Sequence, residues 1–190
     1  KGAVVASPWK DNWFSSFTID KGSKEGIKKG MNVIAGSGLV GIVTDVGPNF
    51  AKVRSIIDDS SNVSSMVLTT KDNFNVGGSL KSMNQDKVLP FTELRDEDDK
   101  VKVGDPVVTS YVSDQYQEGI LIGYIASIEK NANNLTKSGT ITPVVDFQHL
   151  REVLVITTLK DTGEKELSSQ KASDTQAETQ DNTETQKSQE

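Results

Sequence analysis

The 190-residue chain has no cysteine and a single histidine, His149. Disulfides, thiolate catalysis and cysteine metal sites are excluded together, an absence that suits an exported protein. No apolar run has the length of a signal peptide or a membrane span, yet the first residue is Lys1 rather than Met. The sequence therefore reads as a fragment or a processed product whose membrane anchor would lie upstream. Hydrophobic residues almost vanish near the end: residues 163–190 contain no aromatic side chain and no Val, Ile or Met. Nothing there offsets the entropy of ordering, so 161–190 is expected to be a disordered acidic and polar tail. Seven acids against three lysines place −4 of the chain's net −6 in residues 163–190, which leaves −2 for the body. A body so nearly balanced, with no basic cluster, has no electrostatic footprint for nucleic acid.

The body is instead rich in short β-branched runs separated by Gly, Pro, Asn and Asp. Twelve of them are expected to be strands: 3–6, 17–20, 31–35, 39–46, 51–57, 63–70, 76–81, 87–94, 106–109, 120–129, 139–145 and 153–158. No segment carries a helical stripe, and only Ser7 to Phe17 has room for a turn of helix. Many short strands at regular spacing point to a sandwich or a barrel.

One run, Gly36-Ser37-Gly38-Leu39-Val40-Gly41, has the G-x-G-x-x-G spacing of a dinucleotide-binding turn. That turn works by seating a pyrophosphate on the N-terminus of a helix that begins at once. Here Ile42, Val43, Thr44, Asp45 and Val46 follow, mostly β-branched, and Gly47-Pro48 ends them. A phosphate site is excluded, and no cofactor is expected.

The glycines gain a different meaning from an internal echo. Gly30-Met31-Asn32-Val33-Ile34, Val40-Gly41-Ile42-Val43 and Lys52-Val53-Arg54-Ser55-Ile56-Ile57-Asp58 recur in order. Their counterparts are Gly104-Asp105-Pro106-Val107-Val108, Ile122-Gly123-Tyr124-Ile125 and Thr140-Ile141-Thr142-Pro143-Val144-Val145-Asp146. In the closing strands Lys52 and Arg54, like Thr140 and Thr142, alternate with inward Val53 and Ile141. Gly41 and Gly123 correspond inside strands, where glycine marks a bulge or a close backbone approach. Gly36 and Gly38 lack counterparts and read as hairpin-turn residues supplying positive φ.

Taken together, these turns and strands resemble the extracytoplasmic region of the rod shape-determining protein MreC family. The residues that carry the resemblance are Trp13-Phe14 with Phe17-Thr18-Ile19-Asp20-Lys21-Gly22-Ser23, then Gly26-Ile27-Lys28-Lys29-Gly30-Met31 and Gly38-Leu39-Val40-Gly41. Further on come Gly104-Asp105-Pro106-Val107-Val108-Thr109-Ser110, Glu118-Gly119-Ile120-Leu121-Ile122-Gly123 and a closing strand through Val153 and Val155. The resemblance implies an all-β fold of two small β-barrels with chymotrypsin-like character, a first unit over 1–60 and a second over 61–160. It also implies a preceding coiled coil and membrane helix, and a non-enzymatic scaffold role in lateral cell-wall synthesis on the outer side of the membrane. The implied partners are the elongation-specific penicillin-binding transpeptidase, other shape proteins of the membrane complex and further copies of the chain. Lys- and Asn-rich usage with a polar tail hints at a Gram-positive cell. One loop departs from the family. Where a glycine usually follows Thr-Ser, and an aromatic-Pro pair precedes the next glycine, this chain has Tyr111 and then Tyr116-Gln117. Positive φ at Tyr111 would be costly, so the loop is expected to differ.

Each candidate site also has a plainer structural role. Loops between strands lie at the surface, and tyrosines accept half-wet contact, so Tyr111, Tyr116 and Gln117 are the candidate partner surface. Trp9 and Trp13, clustered with Phe14 and Phe17, read first as a lid on an open barrel end and second as partner anchors. An atypical two-barrel serine peptidase would need His149 and Asp146 to activate a serine, yet in that pattern the histidine belongs to the first barrel. A turn histidine beside a turn aspartate is the plainer reading, and Gly77-Gly78-Ser79 reads as a bulge. A carbohydrate-binding wall module is a further alternative, and it would need exposed aromatic platforms. The acids between Glu93 and Lys102 are consecutive, with no glycine among them, so a solvated loop is expected rather than a calcium site. Lys21, Lys24, Lys28 and Lys29, diluted by Asp20 and Glu25, read as a wet hairpin.

Overall fold

The computed structural model describes residues 1–6, 15–132 and 135–160. The expected tail and the aromatic segment with Trp9, Trp13 and Phe14 lie outside the described residues. Each of the twelve expected strands has an observed counterpart: β1 Gly2–Ala6, β2 Ser16–Ile19, β3 Asn32–Ala35, β4 Gly38–Val46, β5 Ala51–Ser55, β6 Asn62–Val67, β7 Asn73–Gly77, β8 Leu89–Leu94, β9 Pro106–Thr109, β10 Leu121–Lys130, β11 Lys137–Pro143 and β12 Glu152–Val155. Among the described residues there is also one α-helix, α1 Leu80–Asp86, where sequence periodicity showed none. Its signal is local. Ser79 caps it by accepting from the Ser82 N–H, and Met83 is its one buried side chain. The Gly77-Gly78-Ser79 stretch is therefore a strand end and a helix cap rather than a bulge.

Hydrogen bonding closes the strands into two rings. The first runs β12-β1-β2-β5-β4-β3 and returns to β12. The second runs β6-β7-β8-β11-β10-β9 and returns to β6. The two orders are the same once β12 is placed where β6 stands. The C-terminal strand thus completes the first barrel, which corrects the expected division at residue 60. Residues 61–160 supply the second ring and also one strand of the first. Closure leaves no strand edge unpaired in either ring.

The internal echo holds at the level of single hydrogen bonds. Gly41 pairs with Ser55 as Gly123 pairs with Pro143. A Cβ at Gly41 would lie 2.1 Å from the Arg54 carbonyl oxygen, and one at Gly123 would lie 2.1 Å from that of Thr142. The register slips two residues later in both ladders, between Val43 and Asp45 and between Ile125 and Ser127. The Gly30 N–H donates to the Val43 carbonyl (2.9 Å) and the Gly104 N–H to that of Ile125 (2.8 Å). Val33, Val43 and Val53 fill the first barrel, and Val107, Ile125 and Ile141 fill the second, all at most 2 % exposed.

Of the three glycines in the apparent nucleotide motif, Gly36 takes φ +58° in the β3–β4 turn, as expected. Gly38 does not need positive φ. A Cβ there would meet the Val144 and Val145 side chains at 2.5 Å, so it permits close approach of the two barrels, next to the parallel pairing of Gly38 with Leu121.

Candidate functional site

The two repeats differ most in one connection. In the first, β3 and β4 are joined by Gly36 and Ser37 alone; in the second, residues 110–120 separate β9 from β10. A chain that long between paired strands must find partners for its backbone groups. Thr109 supplies the base of the loop: its hydroxyl donates to the Gln117 carbonyl (2.5 Å) and accepts from the Ile120 N–H (2.8 Å). Ser113 ties the middle by accepting from the Gln115 N–H (3.3 Å) and the Tyr116 N–H (3.0 Å). The Ser110 hydroxyl donates to Asn73 Oδ1 at the start of β7.

The remaining contacts reach the first barrel. On its outer surface Asn32, Ile42 and Arg54 lie side by side across β3, β4 and β5, because they are ladder partners. Asn32 Nδ2 donates to the Gln115 carbonyl (2.9 Å), and Asn32 Oδ1 accepts from the Gln117 N–H (2.7 Å). Gln117 Nε2 donates to the Thr158 carbonyl (3.2 Å) and Lys160 Nζ to the Tyr111 carbonyl (3.3 Å). Arg54 Nε is the one buried side-chain nitrogen or oxygen without a hydrogen-bond partner among the described residues.

This arrangement separates the three expected loop residues. Tyr111 is 54 % exposed and neighbouring Val112 53 %, so they form an apolar tip. Tyr116 is 3 % exposed, which corrects its assignment to the surface. Burial pushes its hydroxyl up to about 12, against the opposing charge of Arg54. Gln117 is half-buried and spends both its backbone and its side-chain N–H groups on the first barrel. Tyr111 is not among the residues with positive φ, so the loop accommodates it without the backbone strain its sequence position suggested. Sequence reasoning missed Asn32. Its signal was present, since the echo puts Pro106 at the same place and a strand inside a barrel has no need of an amide there.

The other candidates are resolved by geometry. His149 Nδ1 lies 2.7 Å from Asp146 Oδ2 with both side chains exposed, and the other Asp146 oxygen accepts from the Gln148 N–H (3.0 Å). The bond to His149, helped by that from Gln148, outweighs burial and holds the Asp146 carboxyl below its ordinary value. This is a turn histidine beside a turn aspartate. The acidic loop is less solvated than expected, because Asp96 is buried. It accepts from the Lys100 N–H (2.8 Å), the Val101 N–H (3.1 Å) and Lys137 Nζ (2.7 Å). Burial alone would raise the Asp96 carboxyl, but these bonds outweigh it and the net direction is down. No group of three or more potential metal-ligating side chains occurs among the described residues, and no helix there is long and apolar enough to cross a membrane.

Comparison with known proteins agrees with this geometry. Residues 5–157 match the family described as rod shape-determining protein MreC, barrel core. The cell shape-determining protein MreC of Listeria monocytogenes is 33 % identical over 156 residues, covering 81 % of this chain and 52 % of the relative. A solved structure of Listeria MreC superposes with a TM-score of 0.71 at 34 % identity, covering 82 % of this chain and 73 % of the other. The fold also matches a structure of the complex between penicillin-binding protein PBP2 and MreC from Helicobacter pylori, with a TM-score of 0.60 at 13 % identity over 80 % of this chain and 94 % of that one. The chain spans about half the length of the curated relatives it matches. The doubled ring, its C-terminal closing strand and the order of its turns are those of one family, and the chain belongs to it: it carries the barrel core of a rod shape-determining MreC protein.

Proposed function

We propose that this chain is the outward-facing part of a non-enzymatic, membrane-anchored scaffold that organises peptidoglycan synthases during cell elongation, with the Tyr111–Val112 tip as its contact with a penicillin-binding transpeptidase. The observation that carries the reading is an exposed aromatic–aliphatic pair on a loop held by hydrogen bonds at Ser110, Ser113 and Gln117. Such a tip combines a large apolar area with little ordering entropy left to lose on binding. The Helicobacter complex supports a partner of this class. Other shape proteins and self-association fit the same role, and Trp9 and Trp13 stay candidate anchors. The scaffold would act by binding one state of the synthase better than another.

Calorimetry with the elongation transpeptidase of the same cell tests the assignment. Tyr111→Ala should weaken binding about tenfold, the loss of one anchor, with the thermal midpoint unchanged. Unaltered affinity would remove this loop as the contact.

A further inference from the structure

We infer that Asn32 is a positioning residue that fixes the angle between the two barrels by pinning the β9–β10 loop of one to the outer wall of the other. Its place in the repeat is the first argument. Asn32 and Pro106 occupy the same step of equivalent strands, each one residue before an inward valine, Val33 or Val107. The twin barrel closes with a side chain that has no donor at all, so the amide serves nothing internal to a ring. Burying it is costly unless its polar atoms are satisfied. Asn32 is 2 % exposed, and the partners that satisfy it, Gln115 O and Gln117 N, both belong to the other barrel.

What else joins the barrels shows why a pin is needed. Their ladders meet in a single registered pair, Gly38 with Leu121, where the missing Cβ lets Val144 and Val145 approach. With the two chain crossings at 56–61 and 144–151, whose Ile57 and Phe147 are buried, that pair holds the barrels together, but a single registered pair sets no rotation by itself. The other hydrogen bonds between the loop and residues outside its own barrel use long side chains, Gln117 to Thr158 and Lys160 to Tyr111. Asn32 is short, buried and bonded at both ends of its amide to backbone groups of Gln115 and Gln117. That geometry admits one orientation.

The absence of cysteine makes the test direct. Lys52→Cys on β5 and Thr92→Cys on β8 place one spin label on an exposed position of each barrel. Pulsed electron–electron resonance on the whole chain should give one narrow distance distribution. Adding Asn32→Ala should broaden or shift it while circular dichroism still reports folded β structure; a distribution that stays narrow and unshifted overturns the inference. Asn32→Asp keeps the acceptor for Gln117 N–H and loses the donor to Gln115 C=O, so it decides the matter even if the alanine variant does not fold. It should be broad where the introduced carboxyl is ionised and narrow again where it is protonated and can donate to the carbonyl it faces, its ionisation read by NMR in the same samples and the Asn32 chain measured at the same pH values as control. An Asn32→Asp distribution that is narrow with that carboxyl ionised refutes the pin.

Discussion

The two barrels share a ring order, a register slip and paired glycines, but their equivalent outer walls have opposite fates. In the first barrel's row of Asn32, Ile42 and Arg54, Asn32 is covered by the other barrel's loop, and Ile42 beside it is 6 % exposed. In the second the corresponding row is Pro106, Tyr124, Thr142, and Tyr124 is 45 % exposed. The barrels also spend charge differently. Lys137 of the second makes a buried pair with Asp96 at 2.7 Å, whereas Lys52 of the first meets Asp45 at 4.0 Å with both exposed. Doubling the ring thus supplies two rigid bodies, and the asymmetric additions determine how they assemble and what they show to solvent.

The largest test of the comparison lies where the twins agree. Gly41→Ala and Gly123→Ala each drive a Cβ against a ladder carbonyl and should each cost about 3 kcal/mol or more in urea unfolding. A tolerated substitution at one position alone would break the equivalence.

Lys137→Met should cost roughly 3 kcal/mol, because it strands a buried carboxylate, while Lys52→Ala should change stability by less than about 0.5 kcal/mol. The pair's pH dependence follows from its shifts. Asp96 is held below the ordinary 3.8, so its contribution is complete above that value and is lost as pH falls through the lower folded-state pKa. Lys137 is lowered by burial but raised further by its bonds to Asp96 and Asp99, so its share is complete below 10.5 and is lost as pH climbs past the raised value. The difference between wild-type and Lys137→Met unfolding free energies should therefore be flat through neutral pH and shrink at both extremes.

The smallest effects separate the outer walls. Ile42→Ala should cost about 2 kcal/mol, since it empties a covered site, and Tyr124→Ala should stay within about 0.5 kcal/mol. Equal costs would mean that the second wall is covered as well.

Much of this was legible in the sequence for one reason: strand formation, turn chemistry and alternation are written in neighbours. Lys52 and Thr142 are exposed on the outer faces as their spacing from Val53 and Ile141 required, whereas Arg54, expected to face water, is half-buried with its Nε covered. The failures share the opposite cause. Tyr116 lies in a loop, and whether a loop side chain is wet depends on what lies over it. The seven residues of α1 are too few to show a period, so only the Ser79 cap could have revealed them.

By itself the sequence determined the strands, the paired glycines and the ordered likeness of two β units, because each rests on the conformational preferences of adjacent residues. Only the tertiary structure decided that β12 closes the first barrel, that Gly38 makes room for a neighbour, and that Asn32 grips Gln117 across 85 positions of chain. Those facts depend on which surfaces meet after the strands have formed, and no local preference encodes such a meeting.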